Sequence, residues 1–148
     1  METPLNGVDI TVTPLDNDGL GDGATPFART YGIGTNVTLT APARPGSPEL
    51  MAFEHWIVDG VAQPEDQTQI IVTSANSNAV AQFAIVGDMN GDGAFDGADI
   101  EPFFLALSNY AAYQAAFPGL NGLKRGDCNG DGALDGADIE AFFVLLSG

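Results

Sequence analysis

Residues 87–108 read GDMNGDGAFDGADIEPFFLALS, and residues 126–147 read GDCNGDGALDGADIEAFFVLLS. The two stretches lie 39 positions apart and are identical at 17 of 22 positions, so they form an internal repeat. Each unit opens with an Asp/Gly-rich loop and continues into an apolar segment. Two copies of one unit indicate a pseudo-twofold pair that packs through the apolar faces of its helices.

The apolar segments have the spacing of a helix face, with apolar residues at i, i+3, i+4 and i+7. These residues are Ile100, Phe103, Phe104 and Leu107 in the first unit, and Ile139, Phe142, Phe143 and Leu146 in the second. We expect all eight to face the core. The connecting stretch 109–119, NYAAYQAAFPG, predicts a short additional helix that ends at Pro118-Gly119.

Both loops carry oxygen-bearing side chains at positions 1, 3, 5, 9 and 12 and a glycine at position 6. This is the spacing of an EF-hand calcium loop, in which position 7 adds a backbone carbonyl and the glycine permits a sharp turn. The candidate metal ligands are therefore Asp88, Asn90, Asp92, Ala94, Asp96 and Asp99 in the first loop, and Asp127, Asn129, Asp131, Ala133, Asp135 and Asp138 in the second.

Calcium is the expected cofactor, with two ions per chain. Two Ca²⁺ ions would change the net charge from -16 to -12. Without metal, the four carboxylates of each loop repel one another, so calcium is expected to contribute folding free energy. Position 12 is Asp in both loops instead of the usual Glu, and the shorter side chain requires a tighter closure of the loop.

A third acidic stretch, DNDGLGDG at residues 16–23, contains Asp16, Asp18 and Asp22. It could hold one more cation, although its spacing is not that of a calcium loop. An Asp/Gly-rich turn is the commoner explanation of such a segment. Both interpretations stay open from the sequence.

The first half of the chain predicts a small all-β domain of five to seven strands, sandwich-like or of the β-repeat type. Alternating, β-branched or aromatic runs that end in turn residues occur at 8–14, 36–42, 51–60, 69–74 and 78–86. The last run leads into Gly87 without a linker. We therefore expect two rigidly joined modules, an all-β domain at 1–86 and an α-helical domain with two calcium loops at 87–148.

A calcium loop followed by a helix, present twice and without an incoming helix, resembles a type I dockerin. The resemblance covers residues 87–148. It implies a non-catalytic module that binds two calcium ions and attaches its protein to a cohesin β-sandwich on another chain. Dockerins that read cohesins often have a hydroxyl pair at loop positions 10 and 11, where this chain has Gly97-Ala98 and Gly136-Ala137. That departure weakens the case for an ordinary cohesin.

Two further residues are candidate partner contacts. Leu105 and Val144 point roughly 140° away from Ile100 and Ile139 on a helical wheel, and so away from the expected core face. Packing on the connecting helix or on the β domain is an equally good explanation of their apolar character.

The first half resembles the small β-repeats of bacterial surface proteins, such as the divergent internalin-type B-repeat. The resemblance rests on the strand VTLTA at 37–41, on an aromatic pattern, and on the runs IIVT and AVAQF. The aromatic pattern is Phe53 and Trp56, three positions apart, followed by Gly60 four positions later. Because these are core and turn positions, the resemblance implies a fold and a cell-surface context and no binding site.

Composition excludes several functions. The chain has 20 Asp plus Glu against 4 Lys plus Arg, which argues against binding nucleic acid or anionic lipid. No apolar run approaches the ~20 residues of a membrane span. A single histidine and the lack of a Gly-x-Ser-x-Gly elbow or a Cys/His pair give catalysis little support, so we expect no enzyme. The N-terminal residues show no signal-peptide pattern, so we expect an extracellular form to be a mature chain, an excised fragment, or a sequence whose start is missing.

The sequence thus predicts a non-enzymatic calcium-binding protein, located outside the cell or on its surface, that acts in assembly or attachment. Its partner is either a neighbouring copy of itself, in a head-to-tail filament, or a cohesin-like β-sandwich. The alternative is the C-terminal anchoring fragment of a larger secreted, carbohydrate-active enzyme that docks to a cohesin-like partner.

Overall fold

The computed structural model describes residues 6–45, 50–63, 67–73 and 75–148. Within them, seven strands form two antiparallel sheets. The first sheet contains β1 (Asp9–Thr13), β2 (Gly23–Ala24), β3 (Asn36–Thr40) and β6 (Gln67–Ile71), in the order β2-β1-β3-β6. The second contains β4 (Met51–Val58), β5 (Val61–Gln63) and β7 (Ala79–Ile85), in the order β5-β4-β7. All seven lie in the first 86 residues, within the number expected there. Ser74, the last residue of the predicted run 69–74, lies outside the described residues, as do residues 1–5, 46–49 and 64–66 of the predicted β domain.

Alternate side chains from both sheets form one apolar core. Ile10 and Val12 of β1 and Val37 of β3 meet Phe53 of β4 and Phe83 of β7, and all five are buried. The Phe53 and Phe83 rings make an edge contact with centroids 5.6 Å apart. The period of two predicted from the sequence is therefore the pattern that fills this core.

A β-bulge in β4 interrupts that period. The register with β7 shifts between Phe53 and His55, so that the strand carries one extra residue at Glu54. The shift allows Trp56 to rejoin Phe53 in the core between the sheets, with ring centroids 5.7 Å apart. Ala52 is buried in a different cluster, formed mainly by the helices. β4 consequently has buried residues on both faces.

The C-terminal part is helical and short-segmented. The helices are α1 (Ile100–Ser108), α2 (Tyr110–Ala116), α3 (Gly122–Gly126) and α4 (Asp138–Ser147), and one 3₁₀ turn at Gly97–Asp99 precedes α1. Asn109 and Asn121 cap α2 and α3, because their side chains accept hydrogen bonds from the Ala112 and Lys124 N–H groups. The helix expected in the connecting stretch is thus present as α2, which ends just before Phe117.

The prediction of a separate α-helical, dockerin-like domain with EF-hand-type loops after an all-β domain was wrong. The described residues form a mixed α/β structure, in which helices of 5 to 10 residues share a buried cluster with residues of the second sheet. Ala52 of β4 and Val86, directly after β7, are buried in the same cluster as Phe103, Tyr113 and Phe142. Helices this short gain most of their stability from tertiary packing, and here β4 supplies part of it.

Two of the eight helix-face residues are not in the core. Phe103 and Phe142 are fully buried, whereas Phe104 and Phe143 are each 40% exposed. The buried side of α1 is centred on Phe103 and Ala106, so position i+4 lies at the edge of the buried stripe.

Candidate metal centre

Loop 1, residues 88–99, connects β7 to α1, and the carboxylates at its two ends organise its backbone. Asp88 accepts the Gly91 N–H on Oδ1 at 2.8 Å and the Gly93 N–H on Oδ2 at 3.1 Å. Asp99 accepts the Met89 N–H on Oδ1 at 2.8 Å. Both carboxylates are fully buried. The first and last candidate ligands therefore hold the loop closed around themselves.

The middle of loop 1 repeats one small turn three times. Asn90 Oδ1 accepts the Asp92 N–H at 2.9 Å, and Asp92 Oδ1 accepts the Ala94 N–H at 2.9 Å. Asp96 Oδ1 accepts the Ala98 N–H at 2.8 Å and caps the 3₁₀ turn. In each case a side chain bonds the backbone two residues on, the Asx turn that Asn and Asp favour.

Loop 2, residues 127–138, has the same arrangement. Asp127 accepts the N–H groups of Gly130 and Gly132, and Asp138 accepts those of Asn129 and Asp135, at 2.7–3.1 Å. The Asx turns at Asn129, Asp131 and Asp135 recur at 2.7–2.9 Å. The two loops differ in exposure, since Asp127 is partly exposed and Asp88 is not.

Glycine is required at position 6 of both loops. Gly93 and Gly132 have φ of +90°, a conformation that L side chains rarely adopt. This positive φ agrees with the sharp turn for which the calcium-loop spacing has a glycine at position 6.

Burial and hydrogen bonds shift the pKa values of two carboxyl groups in loop 1 in opposite directions. Burial raises the pKa of Asp99, although the backbone N–H groups it accepts act against that shift. The Ala94 N–H and the Asn90 side chain lower the pKa of Asp92, which is exposed. Loop 1 thus combines a buried carboxylate with an exposed one.

Among the described residues, no group of three or more His, Cys, Asp or Glu side chains is arranged to hold a metal ion. Calcium also takes amide and backbone carbonyl oxygens, which Asn90 and Ala94 supply in loop 1 and Asn129 and Ala133 in loop 2. Asp92 Oδ1 and Asp96 Oδ1 each accept one N–H, which leaves a lone pair for a cation. Asp99 Oδ1 and Asp127 Oδ1 each accept two N–H groups. The candidate donors are all oxygen atoms, the kind that hard divalent ions prefer.

Two arginines contact the first aspartates of the loops, and neither was predicted from the sequence. Arg125 of α3 donates from Nη1 to the Asp88 carbonyl at 2.9 Å and lies 3.3 Å from Asp88 Oδ2. Arg44, between β3 and β4, donates from Nη2 to the Asp127 carbonyl and lies 3.8 Å from Asp127 Oδ1. Both contacts are long-range in sequence, so no local pattern indicates them.

The third acidic stretch forms a hydrogen-bonded turn. Asp16 Oδ1 accepts the Asp18 and Leu20 N–H groups at 2.9 Å, and Asp16 Oδ2 accepts the Thr30 N–H at 3.2 Å. Asp22 Oδ1 accepts the Val12 N–H at 2.8 Å. Two of the three acids thus have structural roles in fastening this turn to β1 and its neighbours.

The two candidate partner contacts differ in their surroundings. Leu105 is partly buried and packs against the helical cluster, whereas Val144 is 62% exposed. Phe104 and Phe143, which directly precede these residues in their helices, are exposed and have ring centroids 6.2 Å apart. Leu145 is also exposed, but it lines a cavity with Leu50, Ile85 and Phe95 and is not part of the Phe104–Phe143 pair.

Cys128, at position 2 of loop 2, is buried in the helical cluster. Burial raises the pKa of its thiol to about 12, so the thiol stays protonated at neutral pH.

Comparisons with known proteins identify no relative. No family model matches the chain, no curated protein matches it, and no solved structure matches it. Among the described helices, none is both long and apolar enough to cross a membrane.

Proposed function

We propose that this chain is a non-enzymatic, extracellular calcium-binding protein that takes part in assembly or attachment. The observation that carries the proposal is the duplicated loop, in which oxygen ligands at matching positions hold the same backbone N–H groups in both copies. One such loop is explained by turn formation alone. Two loops with the same six oxygen donors at the spacing of a calcium loop favour a cation.

Bound calcium would have a defined role. It would neutralise carboxylates that otherwise repel one another, and it would stabilise the folded chain by mass action. In loop 1 the ligands would be the side chains of Asp88, Asn90, Asp92, Asp96 and Asp99 and the carbonyl of Ala94. In loop 2 they would be the side chains of Asp127, Asn129, Asp131, Asp135 and Asp138 and the carbonyl of Ala133.

Calcium titration of single-loop variants tests the cation. Titration calorimetry of the parent chain should give two ions, D92A and D131A should each give one, and the double variant none. The double variant should also lose most of the calcium-dependent rise in melting temperature. D9A, which removes an exposed carboxylate of β1, is the control and should retain both ions. An unchanged calcium response in the double variant would contradict the site assignment.

The assembly part of the proposal is supported by the exposed apolar side chains on α1 and α4. Phe104 and Phe143, one from each repeat, are each 40% exposed with ring centroids 6.2 Å apart, and Val144, the next residue on α4, is 62% exposed. An exposed group of apolar side chains of this kind is typical of a protein-binding surface. The resemblance of the loop spacing to type I dockerins is consistent with this use and stays a prediction.

Particle mass in calcium and in chelator distinguishes the two partners. Light scattering and electron microscopy should show large or fibrous particles in calcium that dissociate in chelator if the partner is a second copy. A monomer that only loses stability in chelator would favour the alternative, an anchoring fragment of a larger secreted enzyme with a cohesin-like partner.

A further inference from the structure

A buried ion pair connects the sheets to the helices. Glu54, the extra residue of the β4 bulge, accepts two hydrogen bonds from Arg125 of α3, from Nε to Oε1 at 2.8 Å and from Nη2 to Oε2 at 2.9 Å. The two side chains are 0% and 1% exposed. Glu54 Oε1 also accepts the Asn121 N–H at 2.7 Å. The guanidinium is therefore held by a two-point contact whose geometry allows little movement.

The remaining nitrogen of this guanidinium contacts loop 1. Arg125 Nη1 donates to the Asp88 carbonyl and lies 3.3 Å from Asp88 Oδ2, and the Gly87 N–H donates to the Arg125 carbonyl at 2.8 Å. Asp88 is the first candidate ligand of loop 1 and is fully buried. Arg125 of α3 thus contacts both β4 and loop 1.

The net charge of Glu54, Arg125 and Asp88 affects how strongly loop 1 can bind a cation. A divalent ion on Asp88 would lie close to the positive charge of Arg125, and repulsion in a buried site is only weakly screened. Glu54 cancels that positive charge through the two-point contact. With Glu54 in place, the buried set of Glu54, Arg125 and Asp88 carries a net charge of -1, which favours the cation.

We propose that Glu54 is a positioning residue for calcium in loop 1, acting through Arg125. The proposal rests on the proposed calcium function. Glu54 orients the guanidinium that holds Asp88 and removes its repulsion of the ion. Because coupling between two equilibria is reciprocal, calcium in loop 1 also stabilises the contact of β4 with α3.

Loop 2 provides an internal comparison. Its first ligand, Asp127, faces Arg44, whose side chain is 26% exposed and lies 3.8 Å from the carboxylate. Water screens a partly exposed charge far better than a buried one. Calcium in loop 2 should therefore not depend on Glu54.

The test is calcium titration of E54Q in two backgrounds. D131A leaves loop 1 as the titratable site, and D92A leaves loop 2. We expect E54Q to raise the dissociation constant of loop 1 about tenfold and that of loop 2 less than twofold, since the charge it unmasks lies at loop 1. E101Q is the matched control, because it removes an exposed carboxylate from the first turn of α1, and it should change loop 1 less than twofold.

Two further variants separate charge from packing. E54D keeps the negative charge with a shorter side chain, so loop 1 should lose less affinity than in E54Q. E54Q combined with R125M removes the positive charge that Glu54 no longer offsets, and loop 1 should regain affinity relative to E54Q alone. A pair that acted only by packing would give the double variant an equal or larger loss, and that result would overturn the proposal.

Thermal unfolding gives a second measurement. In the D131A background, calcium should raise the melting temperature by less when E54Q is present. An unchanged loop 1 affinity in E54Q, or an equal loss in both loops, would also overturn the proposal.

If E54Q does not fold, R125K replaces it. Lysine keeps the charge without the two-point contact, so calcium binding should weaken in loop 1 alone. An R125K chain with unchanged loop 1 affinity would contradict Glu54 acting through Arg125. A parent chain that binds no calcium in either loop would remove the proposed function itself, a result distinct from these.

Discussion

Phe103 and Phe142 occupy equivalent positions of the two repeats, and their rings stack with centroids 4.0 Å apart and planes 16° from parallel. Both side chains are fully buried. The stacked pair is a direct side-chain contact between α1 and α4, the two helices of the repeat. The pseudo-twofold arrangement itself stays a prediction. Phe95 adds an edge contact to Phe142 at 5.0 Å, so loop 1 also packs against this pair.

The stacked pair should dominate the stability of the helical part. F103A should lower the free energy of unfolding by about 3–5 kcal/mol, because it leaves a cavity in a fully buried site. F104A removes the same side chain from the adjacent, 40% exposed position and should cost less than about 1 kcal/mol. Urea unfolding of both variants checks the prediction, and an equal cost at the two positions would contradict it.

Tyr113 fastens α2 to loop 1. Its hydroxyl donates to the Met89 carbonyl at 2.8 Å inside the helical cluster. Y113F should cost about 1–3 kcal/mol in the free energy of unfolding, because the buried carbonyl loses its partner. Y31F removes a similar bond, from the Tyr31 hydroxyl to the exposed Pro14 carbonyl, and should cost about 0.5 kcal/mol or less. Denaturant unfolding that ranks the two variants in the reverse order would refute this role.

Gly87 is the point at which β7 turns into loop 1. Its φ is +97°, and a Cβ atom there would lie 2.6 Å from the Phe95 ring. G87A should therefore lower the free energy of unfolding by about 2 kcal/mol or more, through both backbone strain and overpacking. G97A places a methyl group in open space and should be neutral or stabilising by about 0.4–1 kcal/mol. Equal melting temperatures for the two variants would disprove the argument.

The loops could be predicted from the sequence because their chemistry is local. The bonds from the carboxylates of Asp88 and Asp99 to the backbone of loop 1 join residues at most ten positions apart, and the spacing of the acids reflects those bonds. The bonds that Arg125 and Tyr113 donate to this loop come from distant residues and have no such local signal.

Five of the seven described strands were predicted from an equally local pattern, since an alternation such as that at β1 and β3 reports one buried face. The other two, β2 and β5, have two and three residues, too few to show an alternation. The acid spacing and the alternation are both patterns that a single segment carries by itself.

A rigid connection between sheets and helices was expected, but the side chains that form it could not be predicted in this way. It depends on a bulge at Glu54, which leaves that residue buried, and on Arg125, which lies 71 residues further along the chain. No periodicity marks a bulge, and charged residues are almost never fully buried unless they are paired. The sequence therefore predicts two modules, whereas the structure joins them through Ala52, Glu54 and Val86.

Asp16 should make the stability of the strand-forming half of the chain depend on pH. The Leu20 N–H lowers the pKa of its carboxyl most, helped by those of Thr30 and Asp18. A carboxyl whose folded pKa lies below its unfolded value stabilises the chain above the unfolded pKa, and that stability is lost as the pH falls through the folded pKa. D16N should therefore lower the melting temperature at pH 7 and flatten its decline in acid. D9N, which removes an exposed carboxylate of β1, is the control, and an equal effect in both variants would point to net charge instead.

Leu105 and Val144 should separate stability from association. Leu105 packs against the helical cluster, so L105A should lower the free energy of unfolding by about 1–3 kcal/mol.

Val144 is 62% exposed, so V144D should leave the melting temperature nearly unchanged while it places a charge beside the exposed Phe143. If this exposed surface binds a second copy in calcium, V144D should abolish the large particles seen by light scattering, because a buried unpaired carboxylate is costly. Particles of unchanged mass in V144D would show that association uses another surface. A115D, which adds the same charge at an exposed position of α2, is the control.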